Sequence, residues 1–224
     1  MPISEAYNMD CMDYMGQFPD KHFELAIVDP PYGIGANKET PHNRWKDWGI
    51  KQWDSTAPDD GYFTTLFRVS KNQIIWGANH FIERINRNSA AWILWDKEQR
   101  NFSLADGELA WSSFDKALRI FTMSRGAALR EGKIHPTQKP VALYKWLLTN
   151  YAKSGDKILD THLGSGSSRI AAWDLGFDFY ATELDKDYFD AQEKRFADHI
   201  AQPNMFAETE QKAEQSTLNF ASDG

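Results

Sequence analysis

The sequence has a single cysteine, Cys11, among 224 residues, which excludes an internal disulfide and any metal site built from several cysteines. It lacks an unbroken apolar run of about 18 residues and a basic-then-apolar N-terminus, so we predict neither a membrane span nor a signal peptide. Positive charge is also scarce, because 25 Lys and Arg stand against 32 Asp and Glu, a net charge of −7. We therefore expect a cytoplasmic protein in which any nucleic-acid contact is confined to a local basic patch.

Apolar and aromatic residues, by contrast, are plentiful. Hydrophobic residues make up 42% of the chain and aromatic residues 14%, with nine Trp, and so many rings need a core in which to pack. At about 150 residues per domain, the length predicts one large domain or one domain with an insertion.

Short apolar runs alternate with helical patterns along the chain. This alternation predicts an α/β fold with a mostly parallel sheet and helices on both faces. The predicted strands are residues 23–28, 73–77, 90–96, 108–113, 118–123, 157–160 and 177–184. The predicted helices are residues 61–70, 78–85, 139–152, 167–176 and 187–200.

A glycine-rich turn follows the predicted strand 157–160. Gly164 and Gly166 allow a ligand to approach the backbone closely, and Glu183, at the end of the next strand, can accept hydrogen bonds from ribose hydroxyls. This pattern is typical of an adenosine-binding site and leaves NAD and S-adenosylmethionine both open. Ser168 and Arg169 stand where a dinucleotide motif favours glycine or alanine, and Asp160 suits a cationic ammonium better than a pyrophosphate.

A second motif, Asp29-Pro30-Pro31-Tyr32, stands at the end of the predicted strand 23–28. Neither proline has an amide hydrogen, so the loop offers carbonyl acceptors beside the Asp29 carboxylate. Tyr32 adds a planar ring. Two acceptors next to a flat ring suit a planar heterocycle that bears an amino group.

A third motif, His135-Pro136-Thr137-Gln138-Lys139-Pro140, precedes the predicted helix 139–152. Pro140 suits the first turn of that helix. The motif is either a plain helix entry or a loop that contacts a ligand through Thr137, Gln138 and Lys139.

These three motifs in this order resemble the amino-group DNA methyltransferases of the permuted β class. The matching stretches, residues 8–35 and 134–196, cover a little under half of the chain. The resemblance implies a Rossmann-like S-adenosylmethionine-dependent methyltransferase fold with a small recognition insert. One departure is Thr161-His162-Leu163, where many relatives have Pro-Phe-Ala, and it leaves the contact usually made by that Phe unassigned.

The resemblance also implies a role for each matching residue. Asp10 and Cys11 would contact the adenine of the cofactor, Glu183 its ribose, and Asp160 with Gly164 and Gly166 its methionine end. The loop 135–140 would close over the methionine carboxylate, with Lys139 or Thr137 as the main polar contact. The full set of implied cofactor-binding residues is Asp10, Cys11, Asp29, His135, Thr137, Gln138, Lys139, Asp160, Gly164, Ser165, Gly166, Ser167 and Glu183. The histidines show no ligand spacing, so no metal is assigned.

The implied reaction is transfer of a methyl group to the N6 amino group of adenine in DNA. Asp29 and the Pro30 carbonyl would accept the two amino hydrogens, and Tyr32 would stack on the flipped base. The implied catalytic motif is Asp29, Pro30, Pro31 and Tyr32. Its first residue is Asp rather than Ser, and in this the motif resembles that of the adenine-N6 enzymes.

Cations flank this motif in the sequence. We predict a lid or DNA-contact loop at 33–60 and a short target-recognition segment at about 113–134, within a single catalytic domain of residues 1–200. The predicted DNA-binding residues are Lys38, Arg44, Lys46, Lys51, Lys116, Arg119, Arg125, Arg130 and Lys133. A segment this short predicts a short or loosely specified recognition sequence, with dimerisation as a way to enlarge the footprint.

Residues 201–224 form a polar, acidic tail that we expect to be flexible. Two short stretches in it, residues 202–206 and 215–220, resemble the Gln-to-aromatic peptides that bind the bacterial sliding clamp.

Several alternatives stay open at this point. Within methyltransferases they are a cytosine-N4 DNA enzyme and an adenosine-N6 RNA enzyme. From other classes they are an NAD-dependent oxidoreductase and a catalytically inactive DNA-binding subunit, which could be part of a dimer.

Overall fold

The computed structural model describes residues 1–35, 54, 56–101, 105–130 and 132–202. Within these residues the chain forms one eight-stranded sheet with the strand order β1-β8-β7-β2-β3-β5-β4-β6. The strands are β1 (Ser4–Tyr7), β2 (Phe23–Val28), β3 (Ser70–Trp76), β4 (Ile93–Asp96), β5 (Gly107–Ser112), β6 (Arg119–Thr122), β7 (Lys157–Asp160) and β8 (Asp178–Thr182).

The sheet is mostly parallel, as predicted. β1, β8, β7, β2 and β3 are neighbours that all run in one direction, and β4 and β6 pair in parallel at the far edge. Only β5, among the described strands, runs against its neighbours β3 and β4. The predicted fold class is therefore confirmed.

Helices cover both faces of the sheet. They are α1 (Cys11–Met15), α2 (Asp60–Val69), α3 (Ile82–Ile85), α4 (Arg125–Leu129), α5 (Val141–Tyr151), α6 (Ser167–Asp174) and α7 (Lys186–Ile200), with a 3₁₀ turn at Ala78–His80. The apolar side chains of α5 and α6 pack on one face, and those of α2 and α3 pack on the other. Alternate residues of β3 serve the two cores, because Ile74 and Trp76 face α5 while Ile75 faces α2. None of the described helices has the length and apolar character needed to cross a membrane.

Three short elements were missed by the sequence patterns, namely β1, α1 and α4. Each has only four or five residues, too few for a periodicity to stand out. β6 and α4 both lie inside the predicted recognition segment 113–134, so part of that segment completes the sheet.

The strand order brings the candidate site together. β8, β7, β2 and β3 are adjacent and parallel, so their carboxyl ends meet at one edge of the sheet. Glu183, Asp160, Asp29 and Gly77 stand at these four ends. Ligands in open α/β sheets bind outside the carboxyl ends of the strands, which makes this edge the place to look.

Candidate active site

Asp29 follows β2 in a loop that Asp54 holds in place. The Asp54 carboxylate, 1% exposed, accepts hydrogen bonds from the backbone amides of Tyr32 and Gly33 at 2.7 and 2.9 Å. The Tyr32 hydroxyl in turn donates to Asp29 Oδ1 at 2.7 Å. The loop therefore fixes both the carboxylate and the ring that the sequence predicts to act together.

The Tyr32 ring lies between His80 and the backbone at Gly77. The exposed His80 imidazole stacks on it with a centroid distance of 5.1 Å and an interplanar angle of 18°. Gly77 adopts φ +68°, and a Cβ added there would lie 2.0 Å from Tyr32 Cε1. Glycine is thus required at position 77, because the backbone there is left-handed and because the Tyr32 ring leaves no space for a side chain.

Lys139 lies buried between two carboxylates. Its Nζ contacts Asp29 Oδ2, lies 3.0 Å from Glu108 Oε2 and 3.3 Å from the Tyr32 hydroxyl, and only 1% of its side chain is exposed. Lys97 Nζ lies 2.5 Å from the other oxygen of Glu108, so two lysines and two carboxylates alternate. The resemblance implies that Lys139 contacts the cofactor carboxylate, but here both of its ionic partners are protein carboxylates.

The pKa values of Asp29, Glu108 and Lys139 depend on two opposing effects. Burial disfavours the charged form of each group, and pairing with the opposite charge favours it. Burial raises the pKa of Asp29, and the adjacent Lys139 ammonium opposes that rise. Burial also acts to raise the pKa of Glu108, but Lys139 and Lys97 outweigh it and lower that pKa to about 2. The pKa of Lys139 lies above its ordinary value because Asp29 and Glu108 outweigh its desolvation. Glu108 and Lys139 are therefore charged near neutral pH.

The glycine-rich turn enters α6 next to β7. Gly164 and Gly166 have φ +52° and +72°, the left-handed region that favours glycine. Asp160 Oδ1 accepts the His162 amide at 3.0 Å and Oδ2 accepts the Ser168 hydroxyl at 2.6 Å, so this carboxylate shapes the turn.

Two further predicted cofactor residues, Ser165 and Ser167, are buried in the same turn. Arg195 of α7 binds the Ser165 carbonyl and the Ser167 hydroxyl, each at 2.9 Å. This arginine ties the turn to the last helix.

Glu183 lies beside the turn, where the sequence predicts a ribose contact. Its Oε2 accepts the Gly164 amide at 2.8 Å and its Oε1 accepts the Asp185 amide at 2.9 Å. Each carboxylate oxygen can accept a second hydrogen bond, so a ribose hydroxyl could still bind there.

Asp10 and Cys11 begin α1 at the edge of this region. Asp10 caps the helix by accepting the Met12 amide at 2.7 Å. Burial raises the pKa of the Cys11 thiol to about 12, so it stays protonated and suits a pocket wall better than redox chemistry.

The loop 135–140 connects the turn to the Asp29 side. The His135 ring packs against Tyr188 at 4.3 Å between centroids and faces Gly164. His135 Nδ1 accepts the Thr137 amide at 3.3 Å, and Gln138 Nε2 donates to the Gly132 carbonyl at 2.7 Å. These contacts hold the loop itself.

A cavity of about 570 Å³ opens beside Asp29. Its walls include Asp29, Tyr32, Gly77, Glu108 and Thr137. The volume falls in the range of small-molecule sites, and Asp29, Tyr32 and Glu108 supply polar groups in its wall. Its lining does not include Asp160, Gly164 or Glu183, so these residues of the glycine-rich region lie outside this cavity.

The predicted DNA-contact residues divide into three groups. Lys38, Arg44, Lys46 and Lys51 lie outside the described residues. Arg125 and Lys133 line the cavity, and Arg130 is exposed at the end of α4.

Lys116 and Arg119 lie farther away. Lys116 donates to the Asn150 carbonyl at 2.8 Å, at the end of α5. Arg119 begins β6, four strands along the sheet from β2 and thus roughly 19 Å away at the usual strand spacing.

Sequence reasoning missed Gly77, His80, Glu108 and the buried Asp54. A glycine directly after a strand and a lone acid within an apolar strand were the available signals. Within the described ranges, no group of three or more His, Cys, Asp or Glu could hold a metal ion.

Known proteins resemble both the sequence and the fold. Residues 89–194 match the N6/N4 methyltransferase family model, described as DNA methylase. The type II methyltransferase M1.MboII of Moraxella bovis is 22% identical over 259 residues, covering 84% of this chain and 94% of that protein.

Two solved structures share the fold. The M1.HpyAVI–SAM complex is 23% identical, with a TM-score of 0.57, and the match covers 85% of this chain and 98% of that chain. The PvuII DNA methyltransferase, described as cytosine-N4-specific, is 13% identical with a TM-score of 0.62, covering 98% and 94%.

The matched residues 89–194 contain β7, the glycine-rich turn and the loop 135–140, and the fold places Asp29 beside them. Residues 89–194 of this chain therefore match the DNA methylase domain of the N6/N4 family.

Proposed function

We propose that this protein transfers a methyl group from S-adenosylmethionine to the N6 amino group of adenine in DNA. The observation that carries the proposal is the Asp29 carboxylate, fixed by Tyr32 at the wall of a cavity of about 570 Å³. Asp at this position, rather than Ser, resembles the adenine-N6 enzymes. The cytosine-N4 enzyme among the structural neighbours makes cytosine the second candidate.

The cofactor is S-adenosylmethionine, which supplies an electrophilic methyl group on sulfur when bound. The chain's residues fit this group, because the left-handed Gly164 and Gly166 leave the backbone open to close approach. Asp160 and Glu183 bracket the turn with two carboxylates. Asp160 would face the methionine ammonium and Glu183 the ribose.

Cofactor affinity is expected to rise between pH 6 and pH 8. Burial raises the pKa of Asp160 from 3.8 to about 7, so its carboxylate becomes mostly ionised only in this range and then attracts the ammonium. His162 stays neutral throughout, because burial lowers its pKa to about 4. Calorimetric titration with S-adenosylhomocysteine at several pH values measures the effect.

Asp160→Asn is the control for that titration, since its amide oxygen can still accept a hydrogen bond in the turn. The variant should lose the pH-dependent part of the affinity that wild type shows. Equal slopes in both proteins would contradict an ammonium contact at Asp160. The free energy of unfolding, unlike the cofactor affinity, should fall as pH rises from about 4 to about 7. The reason is that the Asp160 carboxyl has a higher pKa in the folded protein than in the unfolded chain.

Asp29 and the Pro30 carbonyl act on the nucleophile. The amino nitrogen of adenine is a poor nucleophile because its lone pair is delocalised into the ring. Hydrogen-bond acceptors on both amino hydrogens favour a tetrahedral nitrogen whose lone pair points at the methyl group. Asp29 need not be a strong base to do this.

The target base must leave the DNA stack to reach Asp29, at a cost of a few kcal/mol. The cavity beside Asp29 has room for a heterocycle, and stacking offsets part of the cost. His80 already stacks on Tyr32 and is exposed, so a planar base can replace it on that face.

The phosphates next to the flipped base would meet Arg125, Arg130 and Lys133, at or near the cavity mouth. Lys116 and Arg119 are too distant for this role but could extend the footprint along the DNA. Because β6 and α4 take up part of segment 113–134, few residues remain for reading bases. We therefore propose a short or loosely specified recognition sequence.

Arg125→Gln combined with Lys133→Gln is expected to weaken DNA binding and flatten its salt dependence. Each lost phosphate contact should reduce the slope of log K against log salt by about 1. Gel shifts at increasing salt measure the slope, and Lys153→Gln, an exposed lysine at the amino end of β7, serves as the matched control. If the double variant kept the wild-type slope, Arg125 and Lys133 would not contact the DNA phosphates.

The remaining parts of the proposal concern partners and location. Acting on DNA in a bacterial or archaeal cell, or as a phage-encoded enzyme, would place the protein in the cytoplasm, and a homodimer would enlarge the footprint. The predicted sliding-clamp peptides, residues 202–206 and 215–220, lie outside the described residues except for Gln202. A pulldown with purified clamp, with and without residues 201–224, tests them.

The reaction itself is tested by product analysis. The protein is incubated with labelled S-adenosylmethionine and either DNA or RNA, and the nucleic acid is digested to nucleosides. N6-methyldeoxyadenosine supports the proposal, N4-methyldeoxycytidine supports the second candidate, and label in RNA alone overturns the DNA assignment. Methylation-sensitive sequencing of DNA from expressing cells then gives the recognition sequence.

A further inference from the structure

We propose that Glu108, on β5, is a positioning residue that provides a second binding place for the Lys139 ammonium. When the amino group of the target base reaches Asp29, Lys139 moves toward Glu108 and leaves Asp29 Oδ2 to accept the amino hydrogen. This inference rests on the proposed methyl transfer to an amino group.

Both oxygens of Asp29 are occupied in this structure. The Tyr32 hydroxyl donates to Oδ1 and the Lys139 ammonium contacts Oδ2. An incoming amino group needs an acceptor that points into the cavity. One of the two protein donors therefore has to give way or share its oxygen.

Lys139 is the donor better able to move. Tyr32 is confined by the Gly77 backbone and by its own loop, whose amides bind Asp54. Lys139 has a flexible four-carbon side chain and a second carboxylate, Glu108, already within 3.0 Å.

Glu108 is placed for this task by the antiparallel pairing of β5 with β4. Its register partner is Trp95, and Lys97, two residues further along, reaches the Glu108 carboxylate at 2.5 Å. Glu108 also lines the cavity and so stands beside the space that the base would enter.

Without Glu108, the move would strand a buried ammonium. An unpaired charge in a protein interior is strongly unfavourable, so Lys139 would stay on Asp29 and compete with the substrate. With Glu108 present, both lysines keep a carboxylate partner after the move, while Asp29 keeps the Tyr32 hydroxyl and exchanges the ammonium for the amino hydrogen.

The test compares Glu108→Gln with Asp106→Asn, which removes the same charge at an exposed position two residues away. Glu108→Gln is expected to lower kcat by about tenfold or more. Affinities for S-adenosylhomocysteine and for DNA should stay within about twofold, since neither contact involves Glu108. Asp106→Asn should match wild type, and Glu108→Asp, which keeps the charge, should restore much of the rate.

A double-mutant cycle shows whether Glu108 acts through Lys139. In a Lys139→Met background, Glu108→Gln should have little further effect on kcat. Wild-type kcat in Glu108→Gln, or effects of the two substitutions that multiply independently, would overturn the inference.

Two controls separate the possible failures. Thermal unfolding establishes that each variant is folded; if Glu108→Gln is not, Glu108→Ala, which also removes the carboxylate, takes its place, and wild-type kcat in that variant overturns the inference. If wild type yields no methylated nucleoside, the proposed function fails. If wild type is active and the Glu108 variants match it, only the role of Glu108 fails.

Discussion

Asp29→Ala is expected to lower the single-turnover rate of methyl transfer by about 10³-fold. The substitution removes the carboxylate acceptor for the amino hydrogen and leaves Tyr32 and Lys139 without their shared partner. Cofactor affinity should change little, because the glycine-rich turn is organised by Asp160 and Glu183. Rapid-quench assays with labelled S-adenosylmethionine measure the rate.

Asp20→Ala is the matched control, because the Asp20 carboxylate is 76% exposed and its ion pair with Arg68 lies away from the cavity. It should methylate at the wild-type rate. Full activity in Asp29→Ala would instead overturn the whole mechanism, including the role assigned to Glu108. Wild-type inactivity on every nucleic acid would favour the DNA-binding subunit that the sequence left open.

Gly77→Ala is expected to abolish most of the activity and to destabilise the protein by about 1–3 kcal/mol. The new methyl group would overlap the Tyr32 ring at 2.0 Å, and the residue would be held at φ +68°. Tyr32 would have to leave its position, and its hydrogen bond to Asp29 would be lost with it. Thermal unfolding and the same rate assay measure the two effects.

Gly176→Ala separates the clash from the backbone strain. Gly176 has φ +76° and no atom within 4 Å of an added Cβ, so it suffers the strain alone. It should lose some stability and keep its activity. If the two variants lost the same activity, the contact between Gly77 and Tyr32 would not be what positions the catalytic loop.

Much of the fold could be predicted from the apolar patterns. The predicted strands 23–28 and 157–160 have the same bounds as β2 and β7, because each is a short apolar run with a clear polar or proline boundary. β1 escaped prediction because Ser4–Tyr7 is an edge strand with only partial burial. The reversed direction of β5 was also unpredictable, since residues 107–112 look the same in either orientation.

The site was predictable where a motif carries its chemistry locally. Asp29, Tyr32 and the glycine-rich turn stand where the sequence placed them, at strand ends. Glu108 belongs to no such motif, because its role comes from contacts with Lys139 and Lys97 across the sheet. The predicted DNA-contact residues are separated for the same reason. Residues that are close in sequence within segment 113–134 lie on different elements, such as β6 and α4.

The sequence by itself determined the family resemblance, the mostly parallel sheet and the choice of Asp29 as the carboxylate proposed to be catalytic, because these depend on local patterns of residues and their order. Only the tertiary structure decided that Lys139 binds Asp29, 110 positions away, and that Gly77 makes room for Tyr32. Sheet neighbours such as β7 and β2 are far apart in the chain, so the contacts between their loops exist only once the strands have paired.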